Sequence, residues 1–215
     1  MTCAQCVGIE SEFNEKRARK DVQRLREKGP SRTTRMLLDA IRSIGVKGAS
    51  LIDIGGGVGA IQLALIDAGV NKVTSVDASR AFLSAARDVA RERGVRARVV
   101  YVHGDFVEVA DRLEPADVVT LDRVICCYDD VDALVESSVS RARRLYGLVY
   151  PRDRVLTRLM VGMANAWFRV RGISMRSFVH PTSHVDALIR RSGMEPIFQE
   201  ETPIWQAVLY ARRGV

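Results

Sequence analysis

Leu51-Ile52-Asp53-Ile54-Gly55-Gly56-Gly57-Val58-Gly59-Ala60 is an apolar run that enters a glycine-rich turn and opens onto a helical stretch. A strand that turns this tightly into a helix presents backbone N–H groups at the helix start, and glycine lets a ligand approach them closely. Two spacings overlap here. Gly55, Gly57 and Ala60 fit G-x-G-x-x-G/A, a dinucleotide pattern, while Asp53, Gly55, Gly57 and Gly59 fit D-x-G-x-G-x-G. Asp77 closes the next apolar segment, 22 residues after Gly55. A carboxylate there is placed to accept both hydroxyls of a ribose, a sugar common to the two ligand classes.

Outward from this stretch, apolar and amphipathic segments alternate. Strands are expected at 50–54, 72–77, 96–103, 116–122 and 143–151, and helices at 58–68, 79–93, 105–113 and about 130–143. This βαβαβ order with apolar strands implies an α/β fold whose parallel sheet is covered on both faces. Residues 1–10 read as irregular. Residues 11–28 have helical composition and stop at Gly29-Pro30; a helix restarts over 31–44 with Ser31 or Thr33 as its cap. After the fifth strand come a basic amphipathic helix at 153–171 and a helix at 184–192 with Thr182 or Ser183 as cap. Segments 195–201 and 203–213 then lie close enough to pair as an antiparallel hairpin.

The chain has 215 residues, 47% hydrophobic and 27% charged, which fits one folded domain and excludes collagen-like, low-complexity and disordered classes. Its net charge of +7 is unevenly spread: residues 16–35 carry +7 and residues 141–176 carry +8, so the remainder sums to −8. Such basic stretches suit a solvated face, nucleic acid, a membrane surface or an anionic substrate. The start MTCAQC has no apolar core of secretory length and no run approaches a membrane span, so a cytoplasmic, reducing location is expected. Of the four cysteines, Cys3 and Cys6 stand at the start, and the adjacent Cys126 and Cys127 are expected to point apart; no metal site is expected of them.

Three features separate the two readings of the glycine turn. Asp53 would repel a pyrophosphate but can meet a cationic amino-acid group. Gly104-Asp105-Phe106 offers a carboxylate to an adenine amine and an apolar neighbour to its ring. The chain ends in a hairpin rather than another βαβ unit. The series LIDIGGGVGA, SVDAS, HGDF and VVTLDRV resembles the class I S-adenosylmethionine-dependent methyltransferases over roughly residues 35–213. The resemblance implies a Rossmann-like seven-stranded, mostly parallel sheet of order 3-2-1-4-5-7-6 with an antiparallel last strand and helical lid elements. It implies a basic helical lid at 1–34 and a domain at 35–215 with a helical insertion at about 152–180. S-adenosyl-L-methionine is then the cofactor, held by Asp53, Gly55, Gly56, Gly57, Gly59, Asp77, Ala78, Asp105, Phe106 and Asp122.

A looser likeness is to the magnesium-protoporphyrin O-methyltransferase branch, through Phe13-Asn14, DIGGGVG, LDRVICCY and the long basic helix. Where that branch has a His-Tyr pair after strand four, this chain has Cys126-Cys127-Tyr128. The expected reaction is methyl transfer to O, S or N of a small, planar or apolar, anionic acceptor. Asp122, Tyr128 and His180 are the candidate catalytic residues, with a base helpful rather than obligatory. No Asn-Pro-Pro-Tyr-like run follows strand four, which disfavours nucleic-acid acceptors. The alternatives are an RNA methyltransferase, a nicotinamide-dependent dehydrogenase, or a non-catalytic module that binds cofactor or docks on a membrane. The apolar residues of 153–171 fit a packed lid, peripheral contact with anionic lipid, or the wall of an anionic-acceptor pocket.

Overall fold

The computed structural model describes residues 4–214; Cys3 and the Cys6 side chain lie outside what it describes. Its strands are β1 (Ser50–Ile54), β2 (Lys72–Asp77), β3 (Val99–His103), β4 (Ala116–Asp122), β5 (Ala142–Pro151), β6 (Met194–Glu201) and β7 (Trp205–Arg212). They form one sheet in the order β3-β2-β1-β4-β5-β7-β6. The pairs from β3 to β5 are parallel, and β7 runs antiparallel to both β5 and β6. This is the Rossmann-like order that the resemblance implied.

Alternation along the strands decides which helices cover which face. On β1, Ile52 and Ile54 point into one core layer with Val119, Leu121, Tyr146, Leu148 and Tyr210. Leu51 points into the other, with Val118, Leu145, Val149 and Leu209. The first layer is closed by α6 (Phe106–Val109), α7 (Val131–Ser140) and α9 (Thr182–Arg191), the second by α3 (Arg32–Ile44) and α4 (Ala60–Asp67). Helix α5 (Arg80–Glu92) packs beside β2 and β3 and receives α2 (Glu15–Lys28). Caps fix the helix starts, each worth about 1 kcal/mol. Ser31 accepts from the Thr34 amide, Ser79 from Phe82 and Asp130 from Ala133.

Four local expectations are corrected. Residues 4–12 form a helix, α1 (Ala4–Glu12), rather than an irregular start. The expected 11–28 helix breaks at Phe13 because Asn14 caps α2, its Oδ1 accepting from the Arg17 amide (3.2 Å). Residues 96–98 form a 3₁₀ turn, so β3 begins at Val99. Helix α9 begins at Thr182 with no side-chain cap, because Thr182 Oγ1 is taken by the Gln206 side-chain amide (3.0 Å).

Candidate active site

The parallel half of the sheet delivers four carboxylates to its C-terminal edge. Asp53 stands near the end of β1, Asp77 and Asp122 end β2 and β4, and Asp105 follows β3 by two residues. All four line one cavity of about 470 Å³, together with Gly55, Gly56, Gly57, Ala78 and Phe106. Gly59 and His180 are not in that lining.

The glycine turn is shaped by Asp53. Thr120 Oγ1 donates to Asp53 Oδ1 (2.7 Å), and Oδ2 takes no hydrogen bond. A Cβ on Gly56 would sit 2.6 Å from that Oδ2 and 2.4 Å from Gln62 Nε2, so this position has no room for a side chain. Gly55 has φ +59, a conformation glycine adopts without penalty. Burial pushes the Asp53 carboxyl up to about 7, against the hydrogen bond from Thr120.

Asp77 ties β2 to the same turn. Its Oδ2 accepts from the Gly57 amide (3.1 Å) and its Oδ1 from the Ser79 amide (2.8 Å). Burial raises its carboxyl to about 6, with these two amides holding it down. Asp105 caps α6 through the Val107 amide (3.0 Å) and also accepts the Tyr128 hydroxyl (2.9 Å to Oδ2). Asp122 Oδ2 accepts from Thr34 Oγ1 (2.5 Å), while Oδ1 has no hydrogen-bond partner. Burial raises this carboxyl too, opposed by Thr34 and then by Arg123.

The structure separates the three candidate catalytic side chains. Asp122 lines the cavity with one carboxylate oxygen that accepts no hydrogen bond and lies 3.8 Å from Arg123 Nε. Tyr128 also lines it, but its hydroxyl is committed to Asp105. His180 Nε2 lies 2.9 Å from the Tyr128 carbonyl, so that nitrogen carries a proton and donates, and the ring stacks on Phe178 (5.8 Å). His180 therefore braces the Tyr128 backbone. Cys126 and Cys127 do not point apart. They share a 3₁₀ turn (Ile125–Cys127) in which side chains do not alternate, their sulfurs are 3.9 Å apart, and both thiols reach the Arg123 carbonyl. Contact with Cys127, then burial, pushes the Cys126 thiol up; contact with Cys126 and the nearby Arg17 bring Cys127 down.

The opposite wall comes from the N-terminal helices. The Phe13 carbonyl accepts from Ser79 Oγ (2.6 Å), its ring meets Phe82 edge-on (5.4 Å), and the Arg17 guanidinium lies 4.3 Å over that ring. Arg17, Arg24 and Arg123 all reach the cavity wall. Arg123 is the one non-glycine residue with positive φ (62°) among those described, a strain of about 1–2 kcal/mol. Its guanidinium donates to Ser31 (2.9 Å) and Thr33 (3.2 Å) and stacks on Trp205 (4.8 Å). Thr34, Arg17, Arg24, Met175 and Trp205 were not expected at the site. Thr34 reads in sequence as part of a helix start, and nothing local announces a partner 88 residues away.

Residues 52–144 match the family model described as a methyltransferase domain. The chain carries a methyltransferase domain. It is of the class I, S-adenosylmethionine-dependent type, and the match runs from β1 to the start of β5. The arginine-bearing N-terminal helices and the insertion after β5 lie outside it. A search of curated proteins finds no match. Among solved structures, the methyltransferase is similar to the magnesium protoporphyrin IX methyltransferase from Synechocystis PCC 6803 with bound SAH. That pair has a TM-score of 0.72 and 15% identity, covering 95% of this chain and 98% of the other. It is also similar to an O-methyltransferase family protein from Burkholderia thailandensis (TM-score 0.63, 16% identity, 84% of this chain and 56% of that one). A third is an S-adenosylmethionine dependent methyltransferase from Mesorhizobium loti (TM-score 0.61, 15% identity, 81% and 96%). At these identities the likeness is one of fold.

Proposed function

We propose that this methyltransferase transfers a methyl group to an O, S or N atom of a small anionic acceptor, in the cavity at the C-terminal edge of β1–β4. The observation that carries this reading is the division of the cavity wall. Four carboxylates stand at the sheet edge with Arg123 directly after the last of them, and Arg17 and Arg24 of α2, with Asp21 between them, face the cavity from the helical side. The four carboxylates suit a cationic cofactor and the arginines an anionic acceptor.

The residues fit S-adenosylmethionine at three points. Asp53 Oδ2 is buried without a hydrogen bond beside a turn that has no space for a Cβ, so it can accept an ammonium group. Asp77 keeps lone pairs for two ribose hydroxyls after binding the Gly57 and Ser79 amides. Asp105 offers an acceptor to an adenine amine, with Phe106 and Ala78 beside it and Gly59 easing the start of α4. The cofactor supplies an electrophilic methyl on a sulfonium whose departure as a thioether needs no acid.

The chain's own task is then alignment and proton removal. Arg123, held by Ser31, Thr33 and Trp205, presents a fixed cation next to Asp122. Asp122 Oδ1, which accepts no hydrogen bond and lies 3.8 Å from Arg123 Nε, takes a proton from an O–H or N–H acceptor, and burial raises its carboxyl and so its basicity. Tyr128 and His180 hold Asp105 and the post-β4 turn in place. The N-terminal segment 1–34 serves as a lid on the cofactor side, and the 152–180 insertion contributes Met175 to the wall.

Calorimetry with S-adenosylhomocysteine, followed by labelled-methyl transfer to a panel of aromatic carboxylates, phenolates and thiols, tests the reading. Binding plus turnover of an anionic member is expected. No binding at millimolar ligand overturns it, and turnover restricted to RNA redirects it to the nucleic-acid alternative.

A further inference from the structure

Helix α8 (Val155–Val170) presents its apolar face to solvent. Val155, Leu156, Leu159, Met163, Trp167 and Val170 fall within an arc of about 120° at 100° per residue. Their exposures run from 52% at Trp167 to 86% at Val170. The one buried residue of the helix, Thr157, and Asn165, which exchanges two hydrogen bonds with Ser177 (2.8 Å each), lie on the other side. Among the described residues no strand or helix packs along the stripe, and no residue of α8 lines the cavity.

Arginine predominates in the segment that carries the stripe. Asp153 is the only acid in residues 141–176, and Arg158 pairs with it (2.6 Å). Arg154 and Arg169 are exposed at the two ends of the helix, and Arg171 lies 5.0 Å over the Trp167 ring. A stripe of Val, Leu, Met and Trp rimmed by arginine, too short and too charged to cross a bilayer, is the pattern of a helix lying in a membrane interface. A second copy of the chain fits poorly, because pairing two such stripes brings the same arginines together.

We infer that α8 docks this methyltransferase onto an anionic phospholipid surface, with its apolar stripe in the acyl boundary and its arginines on the headgroups. This docking does not depend on the catalytic reading, and it is tested on the full chain without cofactor. The probe is vesicles of phosphatidylcholine with about 30% phosphatidylglycerol, against phosphatidylcholine alone, in co-sedimentation. Wild type is expected to partition on the anionic vesicles and to lose that binding as salt rises. Leu159→Glu with Met163→Glu is expected to cut partitioning by about tenfold or more, with circular dichroism and the thermal midpoint unchanged. A second readout needs no variant: acyl-brominated lipid should quench wild-type tryptophan fluorescence on the anionic vesicles. The inference is overturned by equal binding to neutral and anionic vesicles, by variant partitioning equal to wild type, by absent quenching, or by a stripe-dependent dimer in place of vesicle binding.

Discussion

The C-terminal edge of the sheet and helix α8 are opposite solutions to placing charge. At the sheet edge, Asp53, Asp77 and Asp122 are buried and their carboxyls are pushed up, so the site stores unfavourable charge that a cation relieves. On α8 the charges are exposed arginines and the exposed apolar residues carry the unfavourable free energy. One region is unsatisfied in its polar atoms and the other in its apolar surface, and a ligand is proposed on the first and a lipid surface on the second. The net charge of +7 averages two unlike surfaces and describes neither.

Substitutions in the two regions should therefore be felt in different measurements. The largest effect is expected from Asp77→Ala, which removes two charge-assisted acceptors and frees the Gly57 amide. Calorimetry should show cofactor affinity falling about 100-fold or more. An unchanged affinity would place the ribose elsewhere.

The next effect is on pH. Asp53 and Asp77 have folded values of about 7 and 6, above their usual unfolded range near 4. The folded chain thus binds protons more tightly than the unfolded one. The contribution of these two groups to stability is greatest below about pH 4 and is lost as pH rises through about 6 and 7. Cofactor affinity runs the other way, because both must be ionised to accept. It should drop roughly tenfold between about pH 8 and pH 6 in titrations, while thermal melts of the free protein gain stability over the same window. A flat affinity profile would break the link between buried charge and binding.

Tyr128→Phe keeps the ring and deletes one hydrogen bond to Asp105. It should cost about 1 kcal/mol, or roughly fivefold in cofactor affinity. The smallest effect belongs to the helix. Leu159→Gln should change neither cofactor affinity nor stability by more than about 0.5 kcal/mol, since Leu159 is 61% exposed. A large loss of stability there would mean that α8 packs on the body after all.

The sequence carried the sheet side of the site because each of its residues sits at a fixed offset from a strand end. Asp53, Asp77, Asp105 and Asp122 are readable from local pattern, and parallel topology does the gathering. The helical side was not readable. Thr34 meets Asp122, and Ser31 meets Arg123, only because α3 packs across β5 and β7. The cysteine pair misled because adjacent side chains point apart in extended backbone, whereas Ile125–Cys127 is a 3₁₀ turn. The direction of the α8 stripe was undecided, since an amphipathic pattern says that a face is apolar but not what covers it.

The order β3-β2-β1-β4 also makes the sheet edge a ruler. Read across the sheet, the carboxylates stand as Asp105, Asp77, Asp53 and Asp122, one per strand. At about 4.8 Å between strands the outer two of these four strands are some 14 Å apart. A ligand is gauged by how many marks it reaches. In the proposed reading a bare nucleoside spans two, an adenosyl amino acid three, and the fourth is left for the partner that receives the methyl. The spacing is set by backbone hydrogen bonding rather than by any side chain, so point substitutions can erase a mark but cannot rescale the instrument.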